Sequence, residues 1–253
     1  MRRAILICAA IAAAWFLINL PALYERVRLD RSFVALSRYE FEPTPEIALV
    51  GSSMTFRVYE DYFKLKVRNL AIGGGSPLTG LAIIASYQTI PKLVLVEINI
   101  LTRPADQALV EQFGKNDTEP FKWFRPARAV ISAVYYWIKK KPIHLPESVE
   151  NDISEPLTVA MKEYNSYQFD DHLDRNLAEL KRLTYQLERR GCKVVFFELP
   201  YPPPLGETYL ARKIRETIPT TVHFDTNLNF VDAFHVDERS AAKIARDIEQ
   251  QIK

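Results

Sequence analysis

Four short runs of branched and apolar residues, at 46–50, 66–72, 92–99 and 192–199, limit what this chain can become. Runs of this length and branching suit strands covered on both faces rather than helices. Stretches of helical length separate them. The segment 54–65 has a helix-like mixture and 78–88 is apolar. Over 174–190, Leu177, Leu180, Leu183, Tyr185 and Leu187 recur among charges, and Gly191 supplies a stop. Strands alternating with helices predict an α/β fold: a doubly wound, flavodoxin-like parallel sheet flanked by helices. A last short strand is expected at 222–225 and a closing helix at 238–252.

The two ends of this pattern differ. From Ala4 to Ile18 no polar residue interrupts the chain, and Arg2 and Arg3 precede the run. This predicts an N-terminal transmembrane anchor or signal peptide over 1–24. The uncleaved anchor is the better reading, because Trp15, Phe16, Leu17 and Ile18 continue past the alanines at 12–14. Arg26, Arg28 and Arg31 balance Arg2 and Arg3, so charge alone leaves the orientation open. Residues 25–45 read as a stalk or linker, and 46–253 as the folded domain. Within that domain an insertion at about 102–167 breaks the alternation. It holds a polar stretch at 106–120, an aromatic and basic one at 121–126, and an apolar helix at 127–138 that ends in Lys139, Lys140, Lys141 and Pro142. A basic end with interleaved aromatics suits a membrane surface or a lid over a site, while a solvated helix end accounts for the lysines alone. With 33 Lys plus Arg against 31 Asp plus Glu, the net charge of +2 carries no whole-chain footprint for nucleic acid. Cys8 and Cys192 are poorly placed to pair, so cysteine usage does not decide the compartment.

The chemistry begins where the first strand stops, at Gly51-Ser52-Ser53. A buried strand ending in glycine and two hydroxyls presents a serine at the carboxyl edge of a sheet, where open α/β folds keep their sites. The same turn, met alone, reads as a helix cap. The second strand ends in Gly73-Gly74-Gly75, which lets a ligand approach backbone amides or simply makes a turn. A serine needs a base that is itself oriented by a third group. Of the four histidines, His144, His172 and His223 sit in loop, helix-start and strand contexts that suit packing or surface roles. His235 follows Asp232 by three residues just before the closing helix. An acidic cap beside an incidental histidine is the plainer reading of that pair.

Taken together, Gly51-Ser52-Ser53, Asn69 followed by Gly74, Asn99 ending the third strand, and Asp232-Ala233-Phe234-His235 resemble the blocks of SGNH (GDSL-type) hydrolases in order and rough spacing. The resemblance covers about 46 to the C-terminus, without the insertion. It implies an SGNH-type fold with Ser53 as nucleophile, His235 as base and Asp232 as orienter. The Ser53 and Gly74 amides and the Asn99 side chain would form the oxyanion hole. Ser52 stands where the family has Asp, and Glu97-Ile98-Asn99-Ile100 stands where it has Gly-x-Asn-Asp; Ser52 remains a rival nucleophile. With the anchor, the resemblance is to the envelope-polysaccharide acyltransferase and esterase branch. That implies a serine esterase or O-acyltransferase without cofactor or metal, acting on an acylated small molecule or a carbohydrate. It would be held single-pass in a bacterial inner membrane, facing the periplasm or exterior, with a multi-spanning acyltransferase as a possible partner and no nucleic acid. Alternatives are a catalytically silent SGNH-like binding module and a lysophospholipase-type lipid esterase.

Overall fold

The computed structural model describes residues 2–28, 30–115, 124–139, 152–224 and 227–252. Four strands form one parallel sheet: β1 (Ile47–Val50), β2 (Val67–Asn69), β3 (Leu93–Glu97) and β4 (Lys193–Phe197), in the order β2-β1-β3-β4. The helices in chain order are α1 (Arg2–Ile18), α2 (Arg31–Phe41), α3 (Ser53–Phe56), α4 (Pro77–Ser86), α5 (Gln107–Phe113) and α6 (Ala127–Ile138). They continue with α7 (Ser154–Tyr164), α8 (Asp170–Glu188), α9 (Pro203–Gly206), α10 (Tyr209–Thr217) and α11 (Glu238–Gln251).

The sheet register sets its two faces. Ile47 lies opposite Val67 and Leu93, Leu49 opposite Leu95, and Leu95 opposite Val195. These residues pack with Phe197 against Ala241, Ile244 and Ile248 of α11. Alternate residues point the other way. A Cβ placed on Gly80 of α4 would come within 2.6 Å of Val50 Cγ1, so only glycine lets α4 sit this close to β1. Helices therefore cover both faces, and the chain is α/β with a parallel sheet, as the branched runs predict.

Two compact units result: Met1–Pro43 with Asp117–Ile143, and Thr44–Asn116 with His144–Lys253. The expected insertion is thus divided. Helix α6 belongs to the first unit, and α7 to the unit that holds the sheet. His144 and the residues 140–142 lie outside the described residues.

The expected stalk at 25–45 is instead packed structure. Tyr24 is buried, and with Val27 and Val34 it meets Ala129 and Ala133 of α6. Two of the charges that suggest a solvated linker, Arg31 and Arg38, are buried, while Glu25 and Arg26 stay exposed. Arg38 lies 3.2 Å from Glu42, and Arg125 contacts the same carboxylate at 3.2 Å while stacking 4.1 Å from the Tyr24 ring. The predicted anchor forms α1, which buries none of its residues. It stops at Ile18, and among the described residues no helix is long and apolar enough to cross a membrane. Its 17 residues span about 25 Å at ~1.5 Å per residue, against a hydrocarbon core of about 30 Å. The strand expected at 222–225 is absent among its described residues, 222–224; Thr221 N–H donates to Phe196 O at 3.3 Å without extending a ladder. Residue 225 lies outside the described residues. Cys8 and Cys192 are both free.

Candidate active site

The strand order turns at β1 and β3: the chain leaves β1 toward β2 and leaves β3 toward β4, opening a crevice at their carboxyl ends. Ser53 opens α3 at that edge. Ser52, the residue before it, is the N-cap, and its Oγ accepts from the Met54 amide at 3.2 Å. The hydroxyl of Ser52 in turn donates to Glu97 at 2.7 Å, and the Ser52 amide donates to the same carboxylate at 2.8 Å. Fully buried and committed in both directions, Ser52 has no hydroxyl to offer a substrate. Ser53 is only partly buried and points elsewhere.

What it points at is His235. Ser53 Oγ lies 2.9 Å from Nε2, and Nδ1 lies 2.8 Å from Asp232 Oδ2. A carboxylate at Nδ1 fixes the proton there and leaves Nε2 to accept from the serine. The loop that carries both residues is tight. Phe230 and Val236 form an antiparallel bridge, Val231 N–H donates to His235 O at 2.8 Å, and Asp237 then caps α11 through Ser240 N–H at 2.7 Å. Within it Asp232 Oδ1 accepts from the amides of Phe234 at 2.9 Å and His235 at 2.8 Å. Partial burial alone would push the Asp232 carboxyl up. The two amides and the imidazole outweigh it, and the net direction is down, toward the ion that holds the ring. Arg57 adds a looser contact, 4.0 Å from Oδ2.

The three residues expected to supply the oxyanion hole fare differently. Ser53 stands at the start of α3. The Gly73 to Gly75 turn leaves the sheet beside it: Ile72 N–H donates to Gly51 O at 3.1 Å, and Gly73 faces the Phe56 ring. Gly74 has φ +75°, a conformation that favours glycine, and its carbonyl accepts from Arg103 at 2.6 Å. Asn99 is otherwise engaged. Its Nδ2 donates to Leu199 O at 2.8 Å and its Oδ1 accepts from Leu199 N–H at 2.7 Å. The Asn99 side chain thus ties two strand ends together through the backbone after β4, and this bond uses one of the two Nδ2 hydrogens. Asn69 plays a similar part on the other side, donating to the carbonyls of Thr55 at 2.8 Å and Val58 at 2.7 Å and so holding the far end of the α3 turn.

Glu97 is the site residue that motif reasoning passes over. It ends β3, is fully buried, and also accepts from Thr55 N–H at 3.2 Å. Burial pushes its carboxyl above the ordinary glutamate range, against the opposing pull of these donors. A charged residue closing the otherwise apolar run Leu93-Val94-Leu95-Val96 is the one signal that could have marked it. Helix α7, from the expected insertion, forms a wall of the site. Glu155, Val159 and Glu163 line a cavity of about 470 Å³ with Phe234 and His235, and Tyr164 stacks 5.5 Å from Phe234. His172 and His223 are exposed, as surface residues would be. Among the described residues, no three or more His, Cys, Asp or Glu converge as a metal site would need. No protein-family model, curated protein or solved structure matches the chain.

Proposed function

We propose that this chain is a serine acyl-esterase or O-acyltransferase of SGNH type that works through an acyl-Ser53 intermediate. The observation that carries the reading is the unbroken hydrogen-bond chain from Ser53 Oγ to His235 to Asp232, at 2.9 and 2.8 Å. In the first step His235 Nε2 takes the Ser53 proton as Oγ attacks an ester carbonyl. The tetrahedral oxyanion is met by the Ser53 and Gly74 amides, with Asn99 serving the scaffold. As the carbon–oxygen bond to the leaving alcohol breaks, imidazolium returns the proton to it. Water or a sugar hydroxyl then attacks the acyl-serine, giving up its proton to the same nitrogen, and Ser53 is restored. Asp232 steadies the imidazolium throughout.

The polymer reading follows from the apolar N-terminal helix: an enzyme tethered at a bacterial membrane, facing the periplasm or exterior, would act on envelope polysaccharide beside a membrane acyl donor. The competing reading, a silent module that binds a glycan or a membrane partner, draws on the tie of Asn99 to the Leu199 backbone. Turnover decides between them. With p-nitrophenyl acetate as reporter, Ser53→Ala and His235→Ala are expected to lose about four to six orders of magnitude in kcat, and Asp232→Asn about four. Mass spectrometry should find the acyl group on Ser53 and not on Ser52. Unchanged turnover in the first two variants would sink the assignment.

A further inference from the structure

Helix α6 turns outward the side chains that a solvated helix ordinarily buries. Ala127, Ile131, Val134, Tyr135 and Ile138 recur at helical spacing and form a single stripe. Ile131 is 67% exposed, Tyr135 52% and Ile138 74%. The packed side holds Ala129, Ser132 and Ala133, all of them small. Such a helix is placed by its small face and leaves its large face for something else to cover.

The surface continues beyond α6. The Trp137 indole N–H donates to Leu23 O at 2.8 Å, and Val134 and Trp137 share an apolar cavity of about 400 Å³ with Leu17, Ile18 and Leu23. From that cavity α1 extends with Ile5, Leu6, Ile7, Ile11 and Phe16 all exposed. A helix laid into a protein groove keeps a polar face for water, whereas α1 is apolar on every side from Ala4 to Ile18. A lipid phase covers all sides at once. The apolar run ends at Ile18 and charges resume at Glu25, so a bilayer that takes up α1 has its boundary at the C-terminal end of the helix, which is where α6 lies. Tyr135 and Trp137 are the residue types that settle at that boundary, and exposed Arg26 and Lys139 provide cations for anionic headgroups.

We propose that α6 is a membrane-surface helix, its outer stripe lying at the headgroup boundary of a lipid bilayer that also takes up α1. The proposal rests on the membrane reading of α1 and is independent of the acyl-serine chemistry.

The test uses the full chain carrying Cys8→Ser, with a nitrobenzoxadiazole label on Ile138→Cys, and vesicles of phosphatidylethanolamine and phosphatidylglycerol. The protein should float with the vesicles, and the label should shift to the blue and be quenched by doxyl lipid. The same label on Tyr185→Cys of α8, an exposed position in the sheet unit, should stay aqueous. Ile131→Glu with Val134→Glu should weaken partitioning about tenfold or more and leave p-nitrophenyl acetate turnover unchanged. Flotation with an aqueous label at 138 overturns the α6 proposal while sparing α1, and failure to float overturns both. A label shielded without vesicles, through self-association, or shielded only by another protein in native membranes, overturns it in favour of a protein contact. Loss of ester turnover in Ser53→Ala leaves all these outcomes untouched, so the two readings fail separately.

Discussion

Helix α8 buries Leu173, Leu177, Leu180, Leu183 and Leu187 and turns its charges outward. Helix α6 buries two alanines and a serine and turns isoleucine, valine and tyrosine outward. Both are amphipathic, and the same periodicity produced opposite arrangements. What differs is where the large side chains find company: α8 finds it in the sheet unit's own core, and among the described residues the outer stripe of α6 stays exposed. The sheet unit also hides polar groups that a core would normally exclude. Ser52, Glu97, Asn69 and Asn99 are all buried, and each is held by named partners. Anomalies of burial therefore have different meanings in the two units. Inside the sheet unit Ser52, Glu97 and Asn69 brace the Ser53 turn and Asn99 ties β3 to the backbone after β4, whereas on α6 the anomaly is an exposed apolar stripe.

Substitutions should separate these meanings. Glu97→Ala is expected to have the largest effect on stability, about 3 to 5 kcal/mol by urea unfolding, because it strands the Ser52 and Thr55 amides and the Ser52 hydroxyl in the core. Glu97→Gln should lose less, and its deficit should depend on pH. Burial raises the folded-state value of Glu97 above the ordinary 4.5, so wild-type stability falls as pH rises from there through the folded value. A glutamine has no such fall, and the gap between the two proteins should narrow across that window. A gap that stays constant would mean Glu97 does not titrate there. Leu180→Ala in α8 should cost about 2 to 5 kcal/mol. Next comes Asn99→Ala, at about 1 to 3 kcal/mol for the two bonds to Leu199. Its kcat should drop by less than the hundred- to thousandfold, roughly, of a lost oxyanion donor; a larger drop would restore Asn99 to the oxyanion hole. Ile131→Ser on α6 should change unfolding by no more than about 0.5 kcal/mol, and a cost like that of Leu180→Ala would break the contrast between the helices.

Much of the sheet unit is legible in the residues themselves. Branched runs flanked by glycine, asparagine and helical stretches mark β1, β2, β3 and β4 because buried parallel strands need little else. Ser53, Asp232 and His235 stand out by residue type and order. The failures have physical causes. Helix α2 hides behind Arg31 and Arg38, which are buried, Arg38 beside the Glu42 carboxylate, and no hydropathy pattern records this. Helix α7 hides behind Pro156 and a polar composition, since it packs through few residues. Glu97 ends a strand, where a charge ordinarily meets water. Two of the three positions that depart from the pattern named in the sequence, Ser52 and Glu97, are hydrogen-bonded partners, a pairing across 45 residues of chain that only the fold displays.

The register of β3 against β4 has a consequence in time. Leu93 pairs with Lys193, so closing the fourth strand onto the sheet closes a loop of about a hundred residues, and contacts this remote form slowly. Ser53 and His235 are farther apart still, 182 residues. A nascent chain can thus carry its serine turn well before any base reaches it. The proposed ester turnover should appear only in the last phase of folding, when α11 docks and the loop ahead of it swings His235 into range. In a refolding experiment, reporter turnover is expected to lag behind the return of helical signal.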